Sequence, residues 1–161
     1  MKILLVRHAE AVPSERMMDD ASRWLTQAGR SMAQAQGARL AKTGVSLSYL
    51  WTSPLVRAVQ TAERMAHSLS FEGEIGVLSE LHPDHGTTRQ LVSCLTNIEP
   101  EANVMWVSHM PKVCALVSDL TCIEVPPFRT SQVVQMAFNP SEGLARLEWS
   151  LEPSSGRFLR H

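Results

Sequence analysis

Apolar residues recur along this chain in two rhythms, short continuous runs and longer stripes spaced three or four apart. Lys2, Ile3, Leu4, Leu5 and Val6 form the first run, which stops at Arg7, His8, Ala9 and Glu10. A run this short cannot cross a membrane and reads as a strand buried on both faces, the mark of a parallel sheet. The same logic predicts strands over Leu47–Trp51, Ile75–Leu78 and Val104–Val107. The C-terminal part differs: Val133–Phe138 and Arg146–Leu151 flank a turn at Asn139–Gly143. The second of these alternates, with Leu147, Trp149 and Leu151 on one face.

Helical stripes lie between the runs. Thr26 is placed to cap a first helix with Ala28, Met32, Ala35 and Leu40 near helical spacing, and Lys42 and Gly44 supply its stop. Gly29 and Gly37 permit close packing there. Ser53 as cap and Pro54 at the first helical position start a second helix, whose stripe is Leu55, Ala58, Val59, Ala62, Met65, Ala66 and Leu69. Thr87 or Thr88 caps a third, with Leu91, Val92, Cys94 and Leu95 inward and a closing turn at Asn97–Glu101. Pro111 opens a fourth, with Val113, Leu116, Val117 and Leu120 at i, i+3, i+4 and i+7. Ala11–Arg23 lacks periodicity and reads as a loop, Pro126 and Pro127 break the chain, and residues 153–161 read as a loose polar tail. Strands alternating with helices predict an α/β fold in one domain spanning 1–161.

Composition narrows the function classes. A net charge of −1 over 161 residues, with no cluster of Lys and Arg, argues against nucleic acid, which needs a basic face. No apolar segment approaches transmembrane length and the N-terminus lacks a signal-peptide pattern, so the expectation is a cytoplasmic protein without a membrane role. The three cysteines, Cys94, Cys114 and Cys122, are odd in number and show no C-x-x-C spacing, which suits free thiols better than a disulfide framework or a zinc site.

Position then selects the chemistry. In open α/β sheets ligands bind outside the carboxyl ends of the strands, where Arg7, His8 and His109 fall. Arg57 sits in a first helical turn, where a cation opposes the helix dipole by about 0.3 to 1 kcal/mol unless an anion shares the space. Two guanidiniums bind a phosphoryl group bidentately, a neutral imidazole attacks phosphorus, and a second, protonated imidazole neutralises the equatorial oxygens. The loop Glu80, Leu81, His82, Pro83, Asp84, His85, Gly86 is dense in ionisable groups. Its spacing resembles no common metal site, and Glu80 is the candidate acid, with Asp84 or His85 as substitutes. No metal and no cofactor is expected.

These residues resemble the histidine phosphatase superfamily, whose signature Arg-His-Gly stands here as Arg7, His8, Ala9. The resemblance continues through Ser53-Pro54-Leu55-Val56-Arg57-Ala58-Val59-Gln60-Thr61 and Val107-Ser108-His109-Met110-Pro111. Within the superfamily the chain looks most like SixA-type phosphohistidine phosphatases, through Arg23-Trp24-Leu25-Thr26 with Gly29, Glu80-Leu81-x-Pro83, and Pro126-Pro127-Phe128-x-Thr130. The resemblance implies a three-layer α/β/α sandwich around a mostly parallel mixed sheet, phosphoglycerate mutase-like and without a lid subdomain. It also implies that His8 is the phosphorylated nucleophile and that Arg7, Arg57 and His109 form the phosphate pocket. Glu80 would be the proton donor, and Arg23 an extension of the pocket or the docking surface. Ala9 in place of the signature Gly is a change that small side chains should tolerate.

The short stretch between the Arg57 helix and the strand before His109 leaves no room for a helical lid, so the site should lie open. An open site suits a phosphorylated side chain on another protein, such as a histidine phosphotransfer domain or a phosphocarrier protein. The alternatives are a small-molecule phosphomonoesterase of the same superfamily and a non-catalytic phosphohistidine-binding module.

Overall fold

Strands β1 (Lys2–Arg7) and β4 (Asn103–Ser108) pair in parallel inside a seven-stranded sheet. In the computed structural model, which describes residues 1–14 and 19–161, the remaining strands are β2 (Tyr49–Thr52), β3 (Ile75–Val77), β5 (Val133–Asn139), β6 (Leu144–Leu151) and β7 (Phe158–Arg160). The spatial order is β3-β2-β4-β1-β5-β6-β7. β1 to β4 are parallel; β5 runs against β1, β6 against β5 and β7 against β6. Five strands thus share one direction, giving the mostly parallel mixed sheet.

The sheet has a core on each face, as its unbroken apolar runs require. Along β1, Ile3 and Leu5 join one cluster with Trp106, Leu91, Val113, Leu116, Val117 and Leu120, under α3 (Thr88–Ser93) and α4 (Lys112–Thr121). Leu4 and Val6 join the other with Leu40, Ala58, Ala62 and Met65, under α1 (Gln27–Ala41) and α2 (Val56–Ser68). All four β1 aliphatics are fully buried, and each such burial is worth about 1.5–3 kcal/mol. The result is the three-layer α/β/α sandwich. Among the described residues no helix is long and apolar enough to cross a membrane.

Several local expectations need correction. The buried face of α1 is Gly29, Ala33, Gln36, Gly37 and Leu40 rather than the stripe of Ala28, Met32 and Ala35. Small apolar residues carry little directional signal, and Gln36 is buried because its amide donates to the carbonyls of Ser131 (2.9 Å) and Leu151 (3.3 Å). α2 starts at Val56 with Leu55 as an N-cap that has no side-chain bond, so Ser53 does not cap it. Thr87, by contrast, forms a full capping box with Gln90.

The alternation expected of β6 is broken. Gln135 faces Trp149 while Met136 faces Leu147, so Glu148 is an extra, unpaired residue. This bulge sends Leu147 into the α4 core and turns Trp149 and Leu151 to the opposite face. The tail is not loose throughout: β7 pairs with the edge of β6, and Phe158 packs edge-on to Trp149 at 5.1 Å. The free hydrogen-bonding edge of β6 and the apolar pair Phe158-Leu159 account for that. The loop expected over Ala11–Arg23, whose residues 15–18 lie outside the described set, holds a bridge from Ala11 to Leu25 and a 3-10 turn at Asp20–Ser22.

Gly29 couples this framework to the end of β1. A Cβ there would lie 2.0 Å from the Glu10 carbonyl oxygen, which itself accepts from the Thr26 amide at 3.0 Å. Gly29→Ala gains about 1 kcal/mol of helix propensity, yet it forces backbone against backbone. The variant should lose on the order of 1–2 kcal/mol in urea unfolding together with turnover. Stability and kcat/KM equal to the parent's would show that the segment after His8 yields freely.

Candidate active site

The carboxyl end of β1 is held on three sides. The Arg7 amide donates to Gln132 O (3.2 Å), the His8 amide to Ser108 O (2.9 Å), and the Ser131 amide reaches the carbonyls of both Arg7 (3.1 Å) and His8 (3.3 Å). The Ala9 amide donates to Thr61 Oγ1 (3.0 Å), whose hydroxyl donates to Arg57 O at 2.7 Å. Ala9 is fully buried against Leu25 and Ala33, so a small apolar niche receives the methyl that replaces the signature glycine.

Two imidazoles meet there. The rings of His8 and His109 lie 4.9 Å apart at 52°. His8 Nδ1 is 2.6 Å from Ala9 O, and a carbonyl only accepts, so Nδ1 carries the proton and Nε2 keeps its lone pair. His109 Nε2 lies 2.7 Å from Ser53 Oγ, which also accepts from the Leu55 amide at 3.3 Å. In the tautomer in which Ser53 Oγ donates to Nε2 while it accepts from the Leu55 amide, the hydrogen of His109 is on Nδ1.

Burial, then the neighbouring Arg57, Arg7 and Arg23 charges, lower the His8 pKa to about 4, against the partial opposition of its bond to Ala9. Burial, then the charges of His8, Arg57 and His82, lower that of His109 to about 2. The protonated second imidazole expected from the sequence is therefore neutral in the free protein. It can act as an N–H donor rather than as a cation.

Three arginines surround the rings. Arg7 Nη1 donates to Phe128 O at 2.5 Å. Arg57 is buried, its Nη1 donating to Asp20 O (2.7 Å) and its Nη2 to Asp20 Oδ2 (2.9 Å). Arg23 bonds Asp20 Oδ1 (2.8 Å) through Nη1 and Val12 O (2.8 Å) through Nε. Arg7 Nε and His109 Nδ1 are buried without a hydrogen-bond partner among the described residues. Each such orphan costs about 1–3 kcal/mol, a cost that an acceptor oxygen seated between them would remove. The site thus gathers three guanidiniums around two neutral imidazoles, an arrangement that can receive an anion.

Glu80 lies on the 3-10 turn Ser79–Leu81. Its carboxylate accepts from Ser79 Oγ (3.2 Å), its charge bears on Cys94 and Lys112, and Gly86, at φ +73°, packs on its Cα. The group of this loop whose charge bears on His109 is His82, which stacks on His85 at 4.3 Å and lies 3.9 Å from Asp84 Oδ2. Among the described residues no three His, Cys, Asp or Glu side chains are placed to hold a metal ion. Sequence reasoning missed Asp20, Ser53 as a partner of His109, Thr61 and Ser131, because a hydroxyl or carboxylate in a loop carries no periodic signal.

The pKa shifts set the pH response. An imidazole attacks only when neutral, so with His8 as the nucleophile the acidic limb of kcat/KM should fall near pH 4 rather than at the ordinary 6.5, after allowance for substrate ionisation. The unfolded chain takes up these protons near 6.5 while the folded one resists them. Stability should therefore fall as pH drops from above 6.5 toward about 4. Urea midpoints across that window and a kcat/KM profile test both statements; an acidic limb at 6.5 would mean that His8 is solvated.

Comparison with known proteins agrees with this geometry. Residues 3–83 match the model of the histidine phosphatase superfamily (branch 1). The chain is 30% identical over 155 residues to phosphohistidine phosphatase SixA of Escherichia coli (strain K12), covering 95% of this chain and 94% of that one. It superposes on the structure of the protein histidine phosphatase SixA complexed with tungstate with a TM-score of 0.86 at 29% identity, covering 95% and 97% of the two chains. A mycobacterial glucosyl-3-phosphoglycerate phosphatase shares the fold at a TM-score of 0.71 and 18% identity, covering 91% and 96%. With half the chain in the family model and a full-length relative at that identity, the protein belongs to the histidine phosphatase superfamily, branch 1.

Proposed function

We propose that this phosphatase removes the phosphoryl group from phosphohistidine on another protein, through a phospho-His8 intermediate. The observation that carries the reading is the His8 Nδ1 bond to Ala9 O, which leaves the Nε2 lone pair free, beside three guanidiniums, on a ring that burial keeps neutral. In the first step a His8 Nε2–P bond forms as the substrate's N–P bond breaks. The departing imidazole takes its proton from water, while Arg7, Arg57 and the His109 Nδ1–H hold the phosphoryl oxygens, with Arg23 at the rim. In the second, water attacks phosphorus, the Nε2–P bond breaks and phosphate leaves. Nδ1–H stays on Ala9 O throughout, so the ring neither rotates nor changes tautomer.

A protein substrate is supported by the E. coli relative's activity on phosphohistidine and by the connection between α2 and β4, which holds only β3, a 3-10 turn and the six-residue α3. Suitable partners are histidine phosphotransfer domains and phosphocarrier proteins. Free Cys94, Cys114 and Cys122 fit a cytoplasmic setting. A non-catalytic binding module would have no use for a free, neutral nucleophile. The small-molecule phosphomonoesterase reading shares the fold, as the mycobacterial enzyme does, and is separated by the substrate test below.

Turnover of a phosphohistidine protein labelled with ³²P should leave label on the enzyme in an acid-labile, alkali-stable form after a neutral quench, and His8→Ala should abolish both label and hydrolysis. Label retained by His8→Ala would place the nucleophile elsewhere.

Because the imidazole of a phosphohistidine leaves readily, Glu80→Gln should change kcat/KM by less than about threefold on a phosphohistidine protein, well below the 10²–10⁴ of general acid catalysis. A drop of about a hundredfold confined to the alkyl ester would make Glu80 a proton donor. Wild-type preference for the ester in kcat/KM would turn the assignment to a small-molecule phosphatase.

A further inference from the structure

Arg57 and Arg23 come from different elements, and one side chain joins them. Asp20 Oδ2 accepts from Arg57, its Oδ1 accepts from Arg23, and its backbone carbonyl accepts from Arg57 as well. The 3-10 turn makes this double grip possible. Asp20 opens that turn, with the Ser22 amide bonded to Asp19 O, so carbonyl and carboxylate of one residue face the same guanidinium.

The partners are unequal. The Arg57 side chain is 6% exposed and that of Asp20 55%. A solvated carboxylate needs no partner, whereas a buried guanidinium does. Arg7 offers a parallel, since its terminal nitrogen is held by the Phe128 carbonyl. One terminal nitrogen of Arg7 and both of Arg57 are held by protein oxygens, and the hydrogens that remain are available to an anion.

Charge points the same way. With both imidazoles neutral, Arg7, Arg23 and Arg57 set against Asp20 leave two net positive charges in the cluster. A phosphoryl group carries about −1.5 to −2 near neutral pH, so the cluster matches its ligand instead of over-binding the phosphate it must release.

We propose that Asp20 is a positioning residue that yokes Arg57 and Arg23 into a single phosphoryl-binding unit. It acts through the arginines and touches no reacting atom. The inference rests on the phosphatase reading above and adds a residue to it.

Steady-state kinetics on a phosphohistidine protein, with urea unfolding alongside, tests the yoke. Asp20→Ala should lose at least about tenfold in kcat with a smaller change in KM, in keeping with the cost of misplacing a group that acts in the transition state. Its urea midpoint should fall, because buried Arg57 loses a carboxylate partner, but the protein should stay fully folded in the absence of urea, since the residue 20 carbonyl still accepts from Arg57 Nη1. Asp20→Asn, which keeps one acceptor oxygen, should retain more activity than Asp20→Ala. On an Arg57→Ala background Asp20→Ala should cost less than about threefold, because the group it holds is gone.

Asp20→Ala turnover equal to or above the parent's would overturn the proposal and make Asp20 a competitor for the pocket. An undiminished loss on the Arg57→Ala background would overturn it too. Tungstate binding measured by calorimetry separates this failure from failure of the site itself. If Arg57→Ala binds tungstate as tightly as the parent, the anion cradle is wrong. If it loses tungstate while Asp20→Ala keeps full turnover, only the yoke falls.

Discussion

The in-register parallel pairing of β1 with β4 decides where both imidazoles stand. Val6 lies opposite Val107 and Arg7 opposite Ser108, so the strands end at the same level, and the His8 amide closes the ladder on the Ser108 carbonyl. His8 and His109 are the next residues on each chain, and their rings meet at 4.9 Å. A slip of one residue would move every β1 aliphatic to the wrong core and carry His8 away from His109. Because Ile3 and Leu5 are committed to one face and Leu4 and Val6 to the other, hydrophobic packing on both sides forbids that slip. The chemistry therefore inherits its geometry from the core.

Packing alone would not make the site reactive. Two imidazoles buried beside guanidiniums stay neutral, and neutrality gives His8 a lone pair at the pH where its ordinary pKa would leave it partly protonated. The same burial makes the arginines costly, since a guanidinium removed from water must be paired or bonded. Phe128 O and Asp20 meet that need, while Arg7 Nε and His109 Nδ1 stay buried without a hydrogen-bond partner among the described residues. Orphaned donors are a cost to the fold and a preorganised binding surface for an oxyanion.

The sequence made the parallel strands, the α4 stripe and the convergence of Arg7, His8, Arg57 and His109 legible, because each depends on periodicity or on a residue's place at a strand end. It was silent where contacts are set by tertiary approach. Ser53 looks like a helix cap by local pattern, yet the β2–α2 connection carries it to His109 instead. Thr61 lies on the buried side of α2, where its hydroxyl holds the Ala9 amide. Glu148 has no local bulge signal, since the extra residue is defined only by its pairing with Gln135 and Met136.

The connection between α2 and β4 contributes only β3, a 3-10 turn and the six-residue α3, and α3 packs against α4 on its own face of the sheet. Its loop reaches the site at the end of β4, where the Leu81 carbonyl accepts from Ser108 Oγ at 2.6 Å and the His82 charge bears on His109. The leaving group decides how much such a site must supply. An alkyl ester expels an alkoxide, which needs a proton donor or strong electrostatic stabilisation. A phosphoramidate makes a smaller demand, because an imidazole leaves far more readily and can take its proton from water. The phosphohistidine reading proposed above therefore asks of this site mainly what its arginines and paired imidazoles offer, the binding of the phosphoryl oxygens and a free lone pair.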